Sequence, residues 1–171
     1  NKNNQNVRVF PKIKNVFEWD AQNEFKNMKY DTEYSKFLEN VQFTATEKYD
    51  GTNVRIYFDG YKVSYYGRTP RSTFGKVQIE WLDNFIKDKE IYFEQVFENK
   101  PTILYGELYG GNLQFSIDKN PYGKEMKIVF FDILVGTKWI KNVEETLKKM
   151  GLSYVNKIDN GNARTLAEWR N

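Results

Sequence analysis

A chain of 171 residues that is 40% hydrophobic and 17% aromatic, with a formal net charge of only +3, has enough apolar surface to bury a core of its own, which excludes a disordered chain. It contains neither cysteine nor histidine, which excludes disulfide frameworks, thiolate nucleophiles, zinc–thiolate centres, Ser-His-Asp triads and imidazole ligands. Any catalysis must use Lys, Arg, Asp, Glu, Tyr or backbone groups, and any metal must be a hard ion held by oxygen, such as magnesium.

The first six residues are polar and form no signal-peptide core, and no apolar run approaches the ~20 residues a membrane helix needs. No membrane partner and a cytoplasmic location are expected. Val7–Phe10 reads as a short strand ended by Pro11. Asp31 is placed as the N-cap of a short helix through Asn40, with Tyr34, Phe37 and Leu38 as its buried stripe. Val41–Thr46 and Val54–Phe58 read as strands, the second with Val54, Ile56 and Phe58 on one face. Asp59-Gly60 signals a hairpin, and Tyr61–Tyr66 returns as a third strand. Gly67–Gly75 is a loop carrying Arg68 and Arg71. Lys76–Lys87 places Val77, Trp81, Leu82, Phe85 and Ile86 on one helical face, and Ile91–Phe97 is also read as helix. Thr102–Leu108 and Met126–Val135 are apolar strands, with a loop at Leu113–Gly123 between them. Ile140–Met150 reads as a helix stopped at Gly151, Ser153–Val155 as a short strand and Thr165–Arg170 as the start of another helix. The expected architecture is a single α+β domain over residues 1–171, with mainly antiparallel sheets packed with helices.

The stretch Glu47-Lys48-Tyr49-Asp50-Gly51-Thr52-Asn53 links two of these strands. An amine attacks only when neutral, so a reactive lysine needs burial or neighbouring cations; a solvated lysine paired with Glu47 or Asp50 is the alternative. Gly51-Thr52-Asn53 supplies a tight turn, a hydroxyl and an amide, which suit close approach to a phosphate or sugar as well as an ordinary turn. Arg68 and Arg71 flank Thr69-Pro70 and offer rigid forks for phosphate oxygens, or else decorate a solvated loop. Glu107 and Asp132 each interrupt a strongly apolar strand. A carboxylate in such a place must be paired or at an exposed end, where it can accept a ribose hydroxyl or help hold a metal. Phe131 is either core or a stacking surface for a base.

Taken in order, a Lys-x-Asp-Gly element, an arginine loop, Gly-Glu-Leu and Phe-Asp-Ile resemble the covalent nucleotidyltransferase superfamily of DNA ligases, RNA ligases and mRNA capping enzymes. Glu47-Lys48-x-x-Gly51-Thr52-Asn53, the Arg68-Thr69 loop and Tyr105-Gly106-Glu107-Leu108-Tyr109-Gly110 are more similar to the RNA ligase 2-like family. The resemblance spans residues 43–135 and rests on the four motifs together. It implies the ligase adenylation fold, ATP with Mg2+ or Mn2+, and a monomer acting on RNA, or DNA, ends with a 5′-phosphate and a 3′-hydroxyl. It implies that Lys48 takes AMP from ATP, that Arg68 binds near the AMP and that Asn53 serves the strand-joining steps. Glu107 would bind the ribose, Phe131 would stack on adenine, Glu47 would lie against the adenine edge, and Asp132 would support the site, with Glu107 and Asp132 as metal ligands.

The family continues with a Glu-Gly-x-Val strand and a Lys-x-Lys strand. Neither is present in the 171 residues, so the domain is expected to be incomplete at its C-terminus. Two other readings stand beside the RNA ligase: a DNA ligase or capping-type nucleotidyltransferase, and a non-catalytic module that binds nucleotides or nucleic-acid ends.

Overall fold

The computed structural model describes residues 7–22 and 28–167. These fall into two compact units. The larger comprises the start of the chain to Phe10 and Tyr49–Val155; the smaller comprises Pro11–Lys48 and the chain from Asn156 on.

The larger unit is built on one sheet. Its strands are β2 (Thr52–Phe58), β3 (Val63–Tyr66), β4 (Thr102–Gly110), β5 (Met126–Val135) and β6 (Lys138–Trp139), in the spatial order β3-β2-β4-β5-β6. Every neighbouring pair is antiparallel. Side chains alternate across a strand, and here each face is covered differently. One face carries Val54, Ile56, Phe58, Leu104, Leu108 and Phe130. It buries them under the helices α2 (Lys76–Ile86), α3 (Glu90–Phe97) and α4 (Val143–Lys149), through Leu82, Phe93, Phe97 and Leu147. The other face carries Ile103, Tyr105 and Leu134 against Val7, Phe10 and Trp139. The mainly antiparallel α+β architecture matches the sequence reading.

Several local readings need correction. Val7–Phe10 forms no strand. It lies across the second face, where side chains rather than a strand edge take its carbonyls. Val77 is 50% exposed, so the buried stripe of α2 starts at Trp81 and Leu82. The helix read from Ile140 begins at Val143, and Ser153–Val155 contributes only an isolated parallel bridge, Tyr154 to Phe130.

The smaller unit contains α1 (Glu33–Phe37), β1 (Phe43–Thr46), β7 (Lys157–Gly161) and α5 (Ala163–Ala167). β1 and β7 form a two-stranded antiparallel pair, tied by Thr44 Oγ1 donating to Asn160 Oδ1 at 2.8 Å. Arg164 sits 4.8 Å from the Tyr30 ring and meets Glu39 at 2.7 Å. The helix N-cap is Thr32 rather than Asp31, with Thr32 Oγ1 accepting from the Ser35 amide at 3.1 Å. Phe37 is 66% exposed, because the α-helical turn ends there and a 3-10 turn over Leu38–Asn40 follows. The helix read at Thr165–Arg170 is seen as α5, and its last positions lie outside the described residues. Thr32→Ala is expected to cost about 1 kcal/mol, the usual value of a helix cap, measured by chemical denaturation.

Candidate functional site

Alternation sets the site's layout. Since Val54 and Ile56 point to the helices, Asn53, Arg55 and Tyr57 point to the other face of β2. On β4 the same rule puts Ile103, Tyr105 and Glu107 on that face. The register sets Asn53 directly opposite Glu107, and Arg55 opposite Tyr105. On β5, Asp132 stands opposite Tyr105, and Phe130 opposite Gly106, so Phe131 is an extra residue in a bulge. The bulge turns Phe131 and Asp132 towards the same side: Phe131 packs with the Tyr105 cluster, and Asp132 acts on the Tyr105 hydroxyl. Gly106 makes this possible, since a Cβ there would strike the Val129 carbonyl and the Phe130 ring. Four of the residues singled out from sequence, Asn53, Glu107, Phe131 and Asp132, therefore share one sheet face.

Part of that face is occupied by the chain's own beginning. The Tyr105 hydroxyl donates to the Arg8 carbonyl at 2.7 Å, and the Arg55 guanidinium donates to the Val7 carbonyl. Phe10 meets Phe131 edge-on at 5.0 Å and lies 5.2 Å from Tyr105. These contacts fall on the Arg55–Tyr105 row and on Phe131 beside it. The Asn53–Glu107 row lies beyond them. There Asn53 Oδ1 is buried with no hydrogen-bond partner. Buried polar atoms in folded proteins are nearly always satisfied, so such an atom marks a place where a ligand or water completes the structure.

Burial also tunes the titratable groups of this face. It pushes the Tyr105 hydroxyl up to about 12. It raises the Asp132 carboxyl as well, against the Ile133 amide that donates to Oδ1 at 2.9 Å. Asp132 therefore holds its proton more tightly folded than unfolded. Its contribution to stability falls as pH rises from the ordinary carboxylate range through the raised folded value. Asp132→Asn keeps the acceptor and removes the charge. It is expected to flatten that loss and to melt no lower than the parent at neutral pH, as checked by thermal melts across the acid range.

The lysine stretch is held on both sides. Before it, the Glu47 amide donates to the Asn156 carbonyl at 2.8 Å, within the smaller unit. Lys48 is exposed and is the residue at which the chain leaves that unit. After it, the Asp50 amide donates to the Tyr122 hydroxyl at 3.0 Å, and Gln114 Nε2 donates to the Gly51 carbonyl at 3.0 Å. Gly51 has no room for a side chain, because a Cβ would collide with the Leu108 carbonyl of β4. Arg68 follows β3 by two residues, on the Asn53 side of the Arg55–Tyr66 pair, and is exposed. Its loop is fixed by Arg55 Nε donating to the Gly67 carbonyl at 2.7 Å and by the Thr69–Ser72 turn. Arg71 is exposed in the same loop. Arg55, Gln114 and Tyr122 escaped the sequence reading; an arginine in an alternating strand looks solvent-facing until the covering segment is known.

Among the described residues no group of three or more acidic side chains forms a metal cage. Magnesium and manganese seldom need one, since one or two carboxylates and the substrate's phosphates suffice. Glu107 and Asp132 lie on adjacent strands of one face but on different rows, Asp132 opposite Tyr105 and Glu107 two residues further along β4. No helix among the described residues is long and apolar enough to cross a membrane.

Comparison with known proteins converges on one family. The RNA ligase family model matches residues 41–170. No curated protein matches. Among solved structures, an archaeal ATP-dependent RNA ligase aligns with a TM-score of 0.64 at 15% identity, over 95% of this chain and 40% of its own. A Naegleria gruberi RNA ligase mutant with AMP and Mn aligns with a TM-score of 0.61 at 17% identity, over 97% and 51%. Another mutant of it, with ATP and Mn, gives 0.55 at 18% identity, over 73% and 38%. These likenesses establish the fold. The chain spans 38% to 51% of the length of these structures.

Proposed function

Because the chain belongs to the RNA ligase family, we propose that it acts as one nucleotidyltransferase domain of an ATP-dependent RNA ligase. The observation that carries the reading is the buried, unpaired Asn53 Oδ1 opposite Glu107, on a face that also holds Phe131 and Asp132.

In this reading the Lys48 amine attacks the α-phosphorus of ATP. A nitrogen–phosphorus bond forms, the bond to pyrophosphate breaks, and the ammonium proton is shed before attack. The AMP then passes to the 5′-phosphate of an RNA end, giving a pyrophosphate linkage and freeing Lys48. A 3′-hydroxyl attacks that 5′-phosphorus, forms the phosphodiester and releases AMP. Such transfers are driven by positioning and charge neutralisation, for which neither histidine nor cysteine is required.

Glu107 accepts a ribose hydroxyl, and Phe131 offers its ring to adenine. The Glu47 amide is already given to Asn156, so contact with the adenine edge falls to its carbonyl. Arg68 holds phosphate oxygens from its fixed loop, and Asn53 completes its bonding on the RNA end. A divalent ion, Mg2+ or Mn2+, supplies neutralisation of phosphate charge when bound, with Glu107 and Asp132 as its protein ligands. The protein works as a monomer in the cytoplasm.

The test is to incubate the natural full-length protein with ATP labelled at the α-phosphate and a divalent metal, then denature it. Label that survives denaturation but is released by acid, as a phosphoramidate is, supports the reading. A protein that takes no label overturns it.

A further inference from the structure

The connection between β4 and β5 is a loop with an unusual amount of internal bonding. The Gly111 amide donates to the Gly123 carbonyl at 3.0 Å. The buried Asn120 side chain donates to the Gly111 and Leu113 carbonyls at 3.0 and 3.2 Å, and its Oδ1 accepts from the Tyr122 amide at 3.0 Å. Asn120 thus fixes the loop from inside. The loop in turn holds each of the three residues that follow Lys48. The Tyr49 ring packs at a tilt against Tyr122 of the loop and Tyr109 at the end of β4, at 5.8 and 4.6 Å between ring centroids. Asp50 gives its amide to the Tyr122 hydroxyl, and Gly51 receives the Gln114 amide. A short irregular segment beside an exposed lysine would otherwise have many conformers, and each would aim the amine differently.

We infer that Tyr122 and Gln114 are positioning residues, which clasp the Tyr49–Gly51 segment and so fix the backbone from which Lys48 reaches its phosphate. The inference rests on the ligase reading for the reaction that Lys48 performs, though not for the clasp itself. The clasp acts on the lysine step alone. Sealing of an RNA end that already carries AMP bypasses the lysine and does not need it.

Three measurements on the full-length protein test this. Hydrogen exchange at the Asp50 amide is expected to quicken at least about tenfold in Tyr122→Phe, as an opened hydrogen bond requires. Single-turnover formation of the lysyl–AMP adduct at saturating ATP is expected to slow about tenfold or more in Tyr122→Phe and in Gln114→Met, with the KM for ATP within about threefold. The two substitutions are expected to combine non-additively, as parts of one clasp do. Sealing of pre-adenylylated RNA stays within about threefold of the parent, whereas general loosening of the fold slows both reactions together. Unchanged exchange at Asp50 overturns the clasp whatever the labelling shows. A parent that labels, with variants that label as fast or lose both reactions in parallel, overturns the positioning role. A parent that takes no label overturns the ligase reading and the role with it, while the exchange result still decides the clasp.

Discussion

Lys48→Ala is expected to remove covalent labelling by ATP, to below about one-thousandth of the parent, because no other side chain can replace the bond-forming atom. The alanine variant should keep the parent's melting temperature. Lys48 is exposed, and substitutions at exposed positions usually change stability by less than about 0.5 kcal/mol. Lys48→Arg should fail as completely, since a guanidinium stays protonated and offers no lone pair. Both variants should still seal RNA supplied with AMP already on its 5′ end. A variant that labels at the parent's rate would move the nucleophile elsewhere and remove the basis for the roles given to its neighbours.

Arg55→Met is expected to destabilise the larger unit by about 3 kcal/mol. Arg55 is fully buried on β2, and burial lowers the basicity of its guanidinium. Removing a buried cation relieves a desolvation cost, and on that ground alone methionine could stabilise. The opposing effect is larger here. Two carbonyls, of Val7 and Gly67, accept from this side chain, and both residues are themselves buried. They cannot regain water unless the N-terminal segment lifts off and the Arg68 loop shifts. Arg55→Lys keeps a charge but loses the fork, and should fall between parent and methionine. Urea denaturation followed by tryptophan fluorescence reads the difference. A loss under about 1 kcal/mol would show that the carbonyls find other donors. Because Gly67 precedes Arg68, the methionine variant should also weaken ATP binding at temperatures where it is still folded.

The central strands were legible because their chemistry is local. Val54, Ile56 and Phe58 alternate cleanly, and Met126–Val135 is too apolar for anything but a buried strand. The acids that interrupt such runs stood out for the same reason, and Glu107 and Asp132 do share a face. What escaped depends on distant partners. Lys157–Gly161 takes no element from sequence, being mostly polar, and becomes a strand only by pairing with Phe43–Thr46. Val7–Phe10 has the composition of a strand, yet its hydrogen bonds go to Arg55 and Tyr105 side chains that no local pattern announces. Asp31 and Thr32 are both good cap residues, and only the direction of the Thr32 hydroxyl separates them. The bulge at Phe131 is invisible in sequence, because it follows from how Gly106 admits Phe130.

The covering segment Val7–Phe10 has a consequence for synthesis. Val7–Phe10 leaves the ribosome well before its partners; Tyr105 lies 97 residues beyond Arg8. At about 5–20 residues per second, the segment waits roughly 5–20 s before its seat exists. During that interval the three apolar side chains of Val7, Val9 and Phe10 stand exposed on a nascent chain, and contacts this distant in sequence form slowly even once both sides are present. Val7–Phe10 is therefore the place where a chaperone should engage the growing protein, and slowed translation between it and β4 should most increase aggregation.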